Sequence, residues 1–197
     1  KIMGKEKVAI YWFRRDLRLQ DNCGLYHALK GEYPVLPVFI FDKNILSDLE
    51  DRKDARVSFL HDELTKINES LQTKNSGLKT FYTTPKQAFK QLQNDYDVQT
   101  VYANHDYEPY ARDRDEEIKE LLNERGVDFK TYKDQVIFEK SEVVKDDGTP
   151  YLVYTPYSKK WLSTLNEEDL ESYTSGLQFE NWYSINKSKI ISLEEMG

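Results

Sequence analysis

Two charged stretches hold the residues able to do chemistry. The first is Tyr11-Trp12-Phe13-Arg14-Arg15-Asp16-Leu17-Arg18-Leu19-Gln20-Asp21-Asn22, where an apolar run turns into four charges in five residues. The second is Asn104-His105-Asp106-Tyr107-Glu108-Pro109-Tyr110-Ala111-Arg112-Asp113-Arg114-Asp115. Asp106 and Glu108 precede a proline suited to a first helical turn, where the dipole and free N–H groups favour acids. Two readings stay open for them. Either one acid caps the helix while the other is solvated, or both accept hydrogen bonds from a ligand's N–H and hydroxyl groups, as in a flavin, deazaflavin or pterin. Arg14, Arg15 and Arg18 have a plain reading too, pairing with Asp16 and Asp21 to hold a loop. The Arg112–Asp115 repeat reads as a solvated or salt-bridged helix face.

Other chemistries lack their parts. No G-x-G-x-x-G follows the first apolar run and no P-loop occurs, so a phosphate-cradling glycine turn is missing. His27, His61 and His105 lack metal-ligand spacing, and no metal is expected. There is no G-x-S-x-G, and Cys23 has no evident activating base, so it reads as a small buried hydrophobe. No catalytic residue is assigned.

The elements that must position these stretches follow from pattern. Val8–Phe13, Val35–Phe41, Leu78–Tyr82, Val98–Ala103 and Val127–Tyr132 read as strands, rich in β-branched and aromatic residues. Between them lie helical stretches. Asp21 or Asn22 caps the first, with Leu25, Ala28 and Leu29 inward. An acidic linker (Asp48, Glu50, Asp51) leads to a helix over 55–71, with Val57, Leu60, Leu64, Ile67 and Leu71 on one face. Thr84-Pro85 starts another, and the last runs from Pro109 to about Glu124, stopped by Gly126. The alternation predicts an α/β fold with a five-stranded doubly wound parallel sheet, Rossmann-like, in the order 3-2-1-4-5. That order sets strands one and four side by side, so their charged loops face each other across the switch-point crevice. Residues 134–197 show no clean period and read as an irregular C-terminal extension. In it, Tyr151, Tyr154, Tyr157 and Trp161 cluster with Lys159 and Lys160, predicting a stretch that packs on the sheet domain or offers a surface.

Bulk properties narrow the partners. The chain carries 28 Lys+Arg against 35 Asp+Glu, net −7, which disfavours non-specific binding to phosphate backbones. Any DNA contact is then a local patch or lies outside this chain. A single cysteine excludes an internal disulfide framework and fits a reducing cytosol, so a cytoplasmic location is expected. No apolar run approaches a membrane span, and no membrane partner is expected.

The first stretch, W-F-R-x-D-L-R-x-x-D-N after a strand, resembles the opening signature of the DNA photolyase/cryptochrome family. The 104–115 stretch and Tyr154-Thr155-Pro156-Tyr157-Ser158-Lys159-Lys160-Trp161 are similar to that family as well, in its order. The resemblance implies an antenna-binding α/β domain over 1–133. Residues 134–197 would be a linker to a helical FAD-binding domain that is absent from this chain. It implies a deoxyribodipyrimidine photolyase-like flavoprotein, a lyase that repairs pyrimidine dimers in DNA by light, with a cryptochrome photosensor or a stand-alone nucleotide-binding module as rivals. The fragment alone is expected to be inactive. By motif position, the resemblance points to Arg14, Phe41, Asp42, Arg56, Asp106 and Glu108 as contacts of the antenna chromophore. Where folate-binding members carry Asn-Glu, this chain has Tyr110-Ala111, which favours a flavin or deazaflavin over methenyltetrahydrofolate. The facing loops predict Arg14 near Asp106 or Glu108, beside a cleft bordered by Phe41 and Asp42. Trp12, Trp161 and Trp182 read as core or interface packing.

Overall fold

The structure, a computed structural model, describes residues 4–47, 54–186 and 188–196. The acidic linker at Asp48, Glu50 and Asp51 lies outside the described residues. Five strands, β1 (Lys7–Phe13), β2 (Val35–Asp42), β3 (Lys79–Thr83), β4 (Asp97–Asn104) and β5 (Asp128–Tyr132), pair in parallel in the order β3-β2-β1-β4-β5. Helices α1 (Cys23–Leu29), α2 (Lys43–Leu46), α3 (Ala55–Gln72), α4 (Pro85–Asp95) and α5 (Pro109–Asn123) connect them.

Side-chain alternation along β1 builds both layers. Val8, Ile10 and Trp12 face α4 and α5, packing with Phe89, Leu92, Ile118 and Leu122. Ala9, Tyr11 and Phe13 face α1 and α3, packing with Leu25, Leu29, Leu64 and Leu71. Both faces of β1 are therefore buried, as its continuous apolar run requires. The helix starts follow local chemistry. Asn22 caps α1 by accepting from the Leu25 N–H at 3.0 Å. Thr84 caps α4 ahead of Pro85. Gly126 ends α5 with φ +70, a conformation that glycine adopts without a Cβ clash.

The extension is more ordered than its pattern suggested. It contains a further helix, α6 (Tyr154–Thr164), where Trp161 meets Phe138 with ring centroids 5.4 Å apart. Leu152, Val153, Tyr154 and Leu162 stay exposed. Its later half returns to the sheet. Asn181 and Tyr183 hydrogen-bond the backbone of Val35, and Trp182 and Ile190 are buried in the α1/α3 layer. A final turn, α7 (Leu193–Met196), closes the described chain. No helix among the described residues is long and apolar enough to cross a membrane.

Candidate functional site

The carboxyl ends of β1 and β4 are tied together by a buried polar node. Asn104 donates to Asp16 (2.7 Å), to the Tyr11 hydroxyl (3.0 Å) and to Asn22 (2.9 Å), and accepts from the Gly24 N–H (2.8 Å). Asp16 also accepts from the Arg14 N–H at 2.9 Å and from the Tyr11 hydroxyl. Burial and the Asp16 carboxylate push the Tyr11 phenol well up, so it remains a donor. Gly24 has a steric reason here: a Cβ would stand 2.7 Å from Asn104 Oδ1 and 3.3 Å from the Ala103 carbonyl carbon. Asp134, just after β5, joins the same end, accepting from Cys23 N at 2.8 Å and from Arg18 at 2.6 Å. Much of the first charged stretch is thus a scaffold that aims the loops.

Beside this node lies a cleft of about 300 Å³ between the loops after β1, β2 and β4. Its apolar wall comes from Trp12, Phe41, Leu46 and Leu60, and its polar edge from Arg15, Asp42, Asp106, Glu108 and Tyr110. At the edge Arg15 meets Glu108 at 2.8 Å and Asp106 at 3.9 Å. Asp106 is nearly buried, with Arg114 3.7 Å away, whereas Glu108 is exposed. Glu108 stands at the N-cap of α5 without a side-chain capping bond. Asp42 caps α2 through the Asn44 N–H at 3.0 Å and accepts from the Tyr110 hydroxyl at 2.5 Å. The cleft can hold a flat apolar body and offers carboxylates to N–H or hydroxyl groups at its rim.

The sequence model of the DNA photolyase family matches residues 9–174. The chain belongs to the DNA photolyase family. It is 34% identical over 152 residues to a deoxyribodipyrimidine photo-lyase of Synechococcus, covering 77% of this chain and 31% of that protein. A solved bacterial class III photolyase from Agrobacterium tumefaciens aligns over 98% of this chain and 39% of its own, with a TM-score of 0.77 at 26% identity. An archaeal photolyase from Sulfolobus tokodaii, solved with two FAD molecules, aligns over 68% of this chain and 31% of its own, with a TM-score of 0.61 at 36% identity. Cryptochromes are also among the relatives. The chain therefore spans about a third of the length of these photolyases.

In this photolyase-family chain, five of the six residues singled out in the sequence line the cleft: Arg14, Phe41, Asp42, Asp106 and Glu108. Arg56 does not. It folds back on the α3 cap, Asp54, at 2.6 Å, because it sits only two residues beyond that carboxylate. Arg14 shares the cleft with Asp106 and Glu108, as expected, but pairs elsewhere. Strand alternation puts Arg14 on the Trp12 side, 5.1 Å from that ring, and its guanidinium runs to Asp115 at 2.5 Å and to the Asn104 carbonyl. Arg15 is the arginine that faces Glu108 and Asp106.

The α5 repeat is likewise only half solvated. Arg112 and Asp113 are exposed, but Arg114 is buried over Trp12, 4.9 Å from the ring, and shares Asp115 with Arg14. A sequence signal existed for it: Arg114 lies on the helical stripe of Ala111, Ile118 and Leu122. Tyr110 had no such signal, since its role depends on where β2 ends. Of the histidines, His27 stacks on Tyr132 at 4.3 Å, and His105 pairs with Glu139 at 2.8 Å.

Proposed function

We propose that this chain is the antenna-binding α/β part of a DNA photolyase-type flavoprotein. The observation that carries this reading is the cleft, with an apolar wall at Phe41 and Trp12 and a rim bearing Asp106 and Glu108. Its shape and rim carboxylates fit a flat heteroaromatic chromophore, with Asp106 and Glu108 as the acceptors for its N–H or hydroxyl groups. Such a chromophore supplies light absorption and passes its excitation onward. The protein's part would be to hold and orient it, with Phe41 behind the apolar wall and Arg15 balancing the rim acids. A flavin or deazaflavin suits the site better than methenyltetrahydrofolate, because Tyr110 and Ala111 stand where the folate pattern has Asn-Glu.

Catalysis belongs, in this reading, to reduced FAD bound outside residues 1–197, acting on pyrimidine dimers in DNA in the cytoplasm. The net charge of −7 supports placing the DNA contact elsewhere in the protein. Equilibrium dialysis of the chain against equimolar FMN, a deazaflavin and methenyltetrahydrofolate tests the chromophore class. Retention of a flavin or deazaflavin, identified by its absorption spectrum, is expected; retention of the folate alone overturns the assignment.

A further inference from the structure

Two hollows meet at one aromatic ring. The cleft described above ends at Tyr110, and on the far side lies a second hollow of about 450 Å³ lined by Asn44, Thr84, Lys86, Asp113 and Glu117. Pro85, Tyr110 and Arg114 are walls of both. The ring does not stand there by packing alone. It belongs to the first turn of α5, directly after Pro109, and its hydroxyl reaches across to the end of β2. There it donates to Asp42 at 2.5 Å and accepts from Asn44 Nδ2 at 3.2 Å. A phenol donating to a carboxylate forms one of the stronger hydrogen bonds, and Asp42 is buried, so turning the ring away leaves a buried charge short of a partner. The partition is therefore held at both ends, by the helix and by the strand terminus.

We infer that Tyr110 is the specificity-determining residue of the cleft: tethered to Asp42 and Asn44, its ring ends the cleft and excludes chromophores with a dinucleotide tail in favour of short-chained ones. The inference rests on the reading of the cleft as a chromophore site. Without the ring, the two hollows become one groove, and a tail would pass over Pro85 towards Lys86, whose ammonium is paired with Glu117 at 2.8 Å and would exchange that partner for a phosphate. A flavin with only a ribityl chain needs none of that space. Burial and the bond to Asp42 push the Tyr110 phenol above its ordinary value, while Asn44 and the nearby Arg114 act the other way.

The test compares riboflavin and FAD, by equilibrium dialysis, on the wild-type chain, Tyr110→Ala and Tyr110→Phe, with thermal melts to confirm folding. Wild type should prefer riboflavin over FAD by about tenfold or more, and in Tyr110→Ala that preference should fall by about tenfold. Should the alanine variant fail to fold, Tyr110→Phe decides, because it keeps the ring and cuts the tether. Its riboflavin-to-FAD preference should fall by about threefold. An unchanged preference in the folded variants overturns the inference and leaves the chromophore site standing, as does equal binding of both flavins by wild type. Failure of wild type to bind either flavin removes the site and the inference together. A Tyr110 phenol that ionises like free tyrosine, read as the wild-type minus Tyr110→Phe absorbance difference, shows that there is no tether.

Discussion

Asn104, the last residue of β4, donates from its side-chain amide to the Asp16 carboxylate in the turn after β1, at 2.7 Å. Neighbouring strands are thereby joined at their carboxyl ends by side chains, just where their backbone ladder stops. The same amide's oxygen receives the Gly24 N–H, bringing the start of α1 into the joint. The cleft's loops leave from this joint, so its rigidity fixes how they face each other.

Removing that joint should be costly. Asn104→Ala leaves the Gly24 N–H buried without a partner and takes one of several donors from Asp16, and should destabilise the chain by about 1–3 kcal/mol, the cost of an orphaned buried group. Chemical denaturation at neutral pH measures it. A loss well under 1 kcal/mol would mean that water or another side chain takes over the node.

The two adjacent arginines should part company. Arg14→Met strips Asp115 and the Asn104 carbonyl of a buried partner and should cost about 1–3 kcal/mol. Arg15→Gln breaks an exposed pair with Glu108 and a looser contact with Asp106, which keeps Arg114 beside it, and should change stability by less than about 1 kcal/mol. Equal effects from both substitutions in a denaturation series would contradict the placement of Arg14 against α5.

Glu139 ties the start of the extension to the loop after β4. Burial alone would raise its carboxyl, but hydrogen bonds from Tyr107 (2.6 Å) and His105 (2.8 Å) outweigh that and hold it below the usual carboxylate value of 4.5. A lowered carboxylate contributes stability that is complete above its unfolded pKa and is lost as pH falls through the folded one. The stability difference between wild type and Glu139→Gln should therefore be steady from about pH 7 to about pH 5 and close as the pH approaches about 3. Thermal melts across that range read it; a gap that widens below about pH 5 would refute the hydrogen-bonded clasp.

The sheet was legible because its signals are local. β1 and β2 carry continuous apolar runs, Asn22 and Thr84 are good caps, and the order β3-β2-β1-β4-β5 was a choice among the doubly wound arrangements that the structure bears out. Phe41, Asp42, Asp106 and Glu108 came from the resemblance to the family, and they meet in one cleft because they sit at the end of β2 or just after β4. Arg14 and Arg15 were harder to separate: both sit at the strand end, and only alternation from Trp12 distinguishes the inner one. Arg56 lies outside the lining of the cleft, since a capping aspartate two residues away captures its side chain. The packing of Trp182 was legible from its residue type, but its return to Val35 was not. It depends on a pairing across nearly 150 residues, and no periodic pattern marks residues 175–191 as part of the core.

The most direct measurement is a fluorescence titration of FMN and a deazaflavin into the wild-type chain and the Asp106→Asn/Glu108→Gln double variant. The double change keeps the rim's shape and removes its charge. A carboxylate hydrogen-bonded to a ligand contributes about 1.5–3 kcal/mol, so chromophore affinity should fall roughly ten- to a hundredfold. The melting temperature should change little, because neither acid makes a capping bond shorter than 3.5 Å at the start of α5. Equal affinity in the two proteins would contradict the account, reducing Asp106 and Glu108 to ion-pair partners of Arg15 and Arg114.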